Sequence, residues 1–148
     1  MNNHTKQFWD KYWSDLGEKQ PSHVDAFQFG DDADWLASLV VEGKKTATCS
    51  GYVFYELEQE PLPQKGQYSI VINTKDEPVA IIELTDVFIS PMNEVPIEFA
   101  LAEGEGDYEY WWNAHKQFFS ELLQPYHLPF EEDMLLVCER FKVIHTAE

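Results

Sequence analysis

The run Gln67-Tyr68-Ser69-Ile70-Val71-Ile72-Asn73-Thr74-Lys75-Asp76-Glu77-Pro78-Val79-Ala80-Ile81-Ile82 decides the fold class. Tyr68, Ile70 and Ile72 alternate with Ser69 and Val71, the period of two that a strand over 67–73 requires. The polar group Thr74-Lys75-Asp76-Glu77 then predicts a hairpin turn. Val79-Ala80-Ile81-Ile82 opens a longer strand over 78–90. A tight turn joins only antiparallel strands, so the sheet has an antiparallel core.

Helical patterns flank this hairpin. Over residues 4–16, Phe8, Trp9, Tyr12, Trp13 and Leu16 recur at three- and four-residue spacing, with Gly17 placed to end the helix. Ala26-Phe27-Gln28-Phe29 predicts a short strand. Asp31, Asp32 and Asp34 cap and charge-complement a helix that carries Trp35, Leu36, Leu39 and Val40 inward and stops at Gly43. A short helix follows over 52–60, halted by Pro61 and Pro63. Beyond the hairpin, the spacing predicts helices over 97–102 and 108–123. The second of these turns Trp111, Trp112, His115, Phe118, Phe119 and Leu122 inward. A closing strand is expected over 134–144. Mixed helices and hairpin-joined strands make an α+β domain with a small, strongly curved sheet or barrel.

The 148 residues fit one domain, 1–148, with an N-terminal helix and link over 1–25 and the main body over 26–144. Ten Phe, seven Tyr and five Trp exclude a disordered chain. No signal segment or membrane span is legible, so a cytoplasmic protein is expected. Cys49 and Cys138 make no disulfide framework. The five histidines (His4, His23, His115, His127 and His145) lack paired ligand spacing, so no metal is expected; His145 reads as a solvated tail residue.

The net charge of -17, with Arg140 the only arginine, excludes a protein that grips duplex DNA by neutralising phosphates. Any nucleic-acid contact is local, and Gly43-Lys44-Lys45-Thr46-Ala47-Thr48-Cys49-Ser50 is where to look for it. Lys45 and Thr48 converge only if Lys45 lies in the turn before a strand. Lys44 and Lys45 then offer charge to a phosphate or carboxylate, and Thr46, Thr48 and Ser50 offer hydroxyls from one strand face. The alternative is ordinary local preference, lysines at a helix end and threonines on a strand. Glu103-Gly104-Glu105-Gly106-Asp107 concentrates carboxylates on a glycine-rich turn. A solvated turn with Asp107 as helix cap explains Asp107 well and Glu103 less well, because Glu103 ends an otherwise apolar segment. Cys49 reads as a small buried thiol rather than a nucleophile, and His115 as a core residue rather than a base.

Gly43-Lys44-Lys45-Thr46-Ala47-Thr48, followed by the Glu-Gly-Glu-Gly-Asp turn, resembles the ASCH domain family of the PUA-like superfamily. Further matches are Phe29-Gly30-Asp31, Glu60-Pro61-Leu62-Pro63, Tyr110-Trp111, His115, Phe118-Phe119, Asp133-Met134 and Val137-Cys138-Glu139-Arg140-Phe141, so that the resemblance runs from Phe27 to Val143. It implies a PUA-like β-barrel surrounded by helices, here with an added N-terminal helix, and a cleft that takes RNA or a modified nucleoside. It also implies a catalytic set of Lys45, Thr48 and Glu103, as in family amidohydrolases acting on N4-acylated cytidine-type nucleosides. Lys44, Thr46, Ser50, Tyr52 and Glu105 are then the ligand-binding residues. Where those enzymes have an apolar residue and an arginine, this chain has Cys49-Ser50.

Three functions follow as expectations: a nucleoside amidohydrolase needing no cofactor, a non-catalytic module for RNA or nucleotides, and a metal-dependent ribonuclease on short single-stranded RNA. The expected partners are a nucleoside, a nucleotide or a short single strand, and neither duplex DNA nor a membrane.

Overall fold

The computed structural model describes residues 1–147. Five strands form one sheet in the order β1-β3-β4-β5-β2. They are β1 (Asp25–Phe27), β2 (Ala47–Gly51), β3 (Tyr68–Ile72), β4 (Pro78–Pro91) and β5 (Leu135–Thr146). The helices are α1 (Asn3–Leu16), α2 (Ala33–Val41), α3 (Tyr52–Glu58), α4 (Ile97–Ala102) and α5 (Tyr108–Leu123). The long β4 and β5 pair antiparallel along most of their length, with register shifts that bend the sheet into a half-barrel. β1 and β2 stand at opposite edges and do not pair.

The expected hairpin is β3–β4. Asn73 organises its turn, its side-chain oxygen accepting from the backbone N–H groups of Lys75 and Glu77. The other connections are not hairpins. β1 joins β3 in parallel after a crossover through α2, β2 and α3, while β4 reaches β5 through α4 and α5.

Three apolar clusters fill the layers. Trp9 and Trp13 of α1 pack on Ile70 and Ile81. On the alternate positions of the same strands, Val71, Ala80 and Ile82 meet Leu36, Leu39 and Val40 of α2. Phe99 and Ala100 of α4, with Trp111 and Phe119 of α5, cover Ala47, Leu136 and Cys138.

Several sequence expectations are corrected in detail. Leu16, Trp35 and Leu122 are exposed, because their helices need only a narrow apolar stripe. Asp32 precedes α2 in a left-handed conformation without a side-chain capping bond. Asp34 instead binds Thr74, accepting from its backbone N–H (2.8 Å) and its hydroxyl (2.7 Å). This ties α2 to the β3–β4 turn. His145 lies on β5 and stacks with Phe8 and Tyr12 of α1. Among the described residues, no helix is long and apolar enough to cross a membrane.

Candidate functional site

Two local devices bring the lysine run and the acidic turn together. At the end of α2 the Gly43 N–H bonds to the Val40 carbonyl and the Lys44 N–H to the Leu39 carbonyl, with Gly43 at φ 77°. This is a Schellman closure, and it reverses the chain so that Lys45 points inward. Across from it, Gly104 (φ +77°) presses against the lysine backbone: a Cβ there would lie 2.4 Å from the Lys44 carbonyl oxygen. Glycine serves here for backbone-to-backbone contact rather than for ligand approach.

Lys45 is therefore buried, and its ammonium donates to Glu103 Oε1 (3.2 Å) and stands 3.5 Å from Glu105 Oε2. The Phe29 ring lies 5.3 Å away. The other Glu103 oxygen, Oε2, accepts from the Trp111 indole (2.5 Å) and the Cys49 thiol (3.3 Å), and pairs with His115 Nε2 (3.4 Å). His115 Nδ1 lies 2.8 Å from the Trp111 carbonyl. A carbonyl only accepts, so Nδ1 carries a proton, and Nε2 needs a second proton to face a carboxylate.

The titrations follow from these partners. Burial pushes the Glu103 carboxyl up, but the His115 hydrogen bond, the Lys45 charge and the indole outweigh it and hold it down at about 2. Burial lowers His115, yet its bond to Glu103 and the nearby carboxylates raise it overall. Glu105 is raised by burial, with Lys45 opposing. Cys49 is raised well above a free thiol by burial and by the Glu103 charge. Glu103 is thus a fully engaged anion, and Glu105 is the better proton acceptor.

Cys49, Glu103 and His115 also present potential metal donors within 4.8 Å of one another. Cys49 and His115 both already bond to Glu103, and the Lys45 ammonium supplies the countercharge a metal would bring.

These groups line a small cavity of about 70 Å³. Beside it opens a cleft of about 690 Å³, and the two share Phe29, Gly30, Thr48, Cys49 and Phe118 in their walls. Phe27, Phe54, Tyr55 and Tyr126 give the cleft its aromatic lining. Its charged groups are Glu58, Glu60, Glu121 and Glu139, with no lysine or arginine among them.

The remaining sequence candidates scatter. Thr48 lines both spaces, and its hydroxyl has no hydrogen-bond partner among the described residues. Ser50 faces the cleft and bonds to the Tyr55 hydroxyl (2.9 Å). Lys44 is exposed and pairs with Glu42 (3.2 Å). Thr46 is exposed and fastens the start of β2, its N–H donating to the Ala102 carbonyl and its own carbonyl accepting from Phe141. Tyr52 lines neither space; its neighbours Phe54 and Tyr55 do.

Sequence reasoning missed Trp111 and His115 as partners of Glu103, and Glu139 as a cleft residue. The signals existed. Trp111 and His115 are four apart on one helix face, and Glu139 shares a strand face with the buried Val137 and Phe141.

Comparison with known proteins places the chain. The ASCH domain profile matches residues 25–145. A protein from Enterococcus faecalis V583 assigned to DUF984 superposes with a TM-score of 0.89 at 41% identity, over 97% of this chain and 90% of that one. An ASCH domain from Lactobacillus crispatus JV V101 gives 0.90 at 35% identity, over 97% and 95%. ASCH from Zymomonas mobilis shares the fold alone, at 0.51 and 12% identity over 84% and 71%. No curated protein matches. The chain belongs to the ASCH domain family.

Proposed function

We propose that this ASCH domain protein binds a small modified nucleoside and hydrolyses an amide on it, the N4-acylated cytidine type being the best fit. The observation that carries the proposal is the pairing of two unlike spaces across shared walls. One is a buried Lys45–Glu105 pair fixed by Glu103; the other is an aromatic cleft lined by carboxylates and lacking lysine and arginine. The aromatic walls suit a flat base, and the negative lining disfavours a chain of phosphates. That charge sets the nucleoside above the ribonuclease and RNA-binding alternatives.

In this reading the acyl group enters the small cavity. Glu105 takes a proton from water as the water oxygen bonds to the amide carbon, and the Lys45 ammonium donates to the developing oxyanion. The C–N bond then breaks, Glu105 returns the proton to the departing amine, and the acyl group leaves as a carboxylic acid. Thr48 orients the water or the carbonyl with its free hydroxyl. Glu103 stays ionised throughout and positions Lys45 and His115.

The test is turnover of N4-acetylcytidine by the full chain. Glu105→Gln and Lys45→Ala should each lower kcat/KM at least ~100-fold, and Thr48→Ala should lower it about 10-fold. Unchanged turnover in Glu105→Gln and Thr48→Ala overturns the catalytic assignment. If turnover is absent while nucleosides raise Tm, the protein is a binding module.

A further inference from the structure

Lys45, Glu103 and His115 are engaged with one another, but one carboxyl on the wall of the adjoining cleft has no such partner. Glu139 sits on β5 directly across from Thr48 on β2 and from Val87 on β4. Residues opposed in an antiparallel pair share a face with Cβ atoms about 5 Å apart, so Glu139 and Thr48 stand side by side on the cleft wall. The Glu139 carboxyl has no hydrogen bond or ion pair among the described residues. It also lines a second hollow of about 430 Å³ on the far side of Tyr55 and Glu60, so it stands where the two open spaces meet. Glu139 is half-buried, and a carboxyl on a cleft wall without a protein partner is open to a ligand.

The chemistry of that ligand follows from what a carboxyl offers. In its acid form it presents one O–H donor beside one C=O acceptor. The matching partner is a ring nitrogen with a free lone pair next to an N–H, as at N3 and N4 of cytosine. Phe27, Phe54 and Tyr55 line the same cleft and supply faces for a flat ring. We propose that Glu139 is the specificity residue of this cleft, pairing with the ring-nitrogen and N–H edge of an aminopyrimidine. This rests on the nucleoside reading above and specifies which edge of the base is held.

Burial alone pushes the Glu139 carboxyl up to about 7, so the acid form is present at and below neutral pH. The titratable groups sharing these spaces with it are Cys49 on β2, Tyr55, Glu58 and Glu60 on or just after α3, Glu121 on α5, Tyr126 beyond it, and His23, Asp25 and Tyr68 across the second hollow. No lysine or arginine lines either space to hold the anion instead.

The experiment is calorimetric binding of cytidine and of N4,N4-dimethylcytidine, which lacks the N–H, to the full chain between pH 5.5 and 8.5. Cytidine affinity of the native protein should fall about tenfold per pH unit above neutrality, the slope for loss of one proton. Glu139→Gln keeps a donor and an acceptor in the same places and cannot ionise, so it should bind cytidine with little pH dependence. Glu139→Ala should weaken cytidine at least about tenfold at pH 6 and abolish the preference for cytidine over the dimethyl analogue. Affinity that is flat or rising with pH, or an alanine variant that binds and discriminates as well as the native chain, overturns the role of Glu139 and leaves nucleoside binding standing. If the native chain binds no nucleoside at any pH, both conclusions fall.

Discussion

Glu103 is buried and Glu139 half-buried, and the protein treats the two carboxyls in opposite ways. Glu103 is met by an ammonium, an imidazole, an indole N–H and a thiol, and its carboxyl is held down at about 2. Glu139 is met by none, and its carboxyl rises to about 7. Burial acts in the same direction on both, so the difference lies in the partners. A carboxylate saturated by its own protein is part of the scaffold. A carboxyl left unsatisfied on the wall of a cleft is open to something from outside.

The comparison can be broken most forcefully at Glu103. Glu103→Ala leaves Lys45 buried without its main countercharge, and should lower stability by about 3–5 kcal/mol in urea unfolding. A loss below about 1 kcal/mol would mean that Glu103 is no scaffold. Next in size is Gly104→Ala, which forces a side chain into a left-handed conformation against the Lys44 carbonyl and should cost roughly 3 kcal/mol. The smallest effect has the opposite sign. A raised carboxyl contributes stability that is full below its ordinary value of 4.5 and is lost as pH rises through about 7. Glu139→Gln should therefore stabilise the protein by about 2 kcal/mol at pH 8, allowing for partial solvent screening, and by little at pH 4.5. For Glu103 the sign reverses: its contribution is full above 4.5 and disappears as pH falls toward 2. Thermal unfolding across pH 3–9 in the native chain and both variants reads these two slopes separately.

Much of the scaffold was legible because local signals carried it. The period of two around Ile70, the stripe of Trp9 and Trp13, and the capping Asp107 each act within a few residues, and each matched the observed element. The connections were harder to read. Nothing local in residues 25–27 says that they pair in parallel with residues 69–71, since parallel registry depends on distant crossovers. At the site, the Lys45–Glu103 contact spans 58 residues of sequence, and it was reached through a family motif rather than through spacing. The motif does not say which of Glu103 and Glu105 the indole and imidazole reach, and only the packing of α5 fixes that. Lys44, Thr46 and Tyr52 have the right chemical type, but Lys44 leaves the Schellman turn toward solvent, Thr46 is exposed just ahead of β2, and Tyr52 begins α3 outside both spaces.

The bond between the Cys49 thiol and Glu103 has a consequence for reagents that attack sulfur. Alkylating agents need a thiolate. Cys49 is raised by burial and by the Glu103 charge beside it, while Cys138 is enclosed and pushed up to about 12. Both sulfurs of the folded chain should therefore alkylate slowly at neutral pH, and each becomes an ordinary cysteine once the structure around it opens. The rate of thiol labelling in native buffer then acts as a clock for that opening. For Cys49 it times the separation of the acidic turn from β2, the event that disassembles the site.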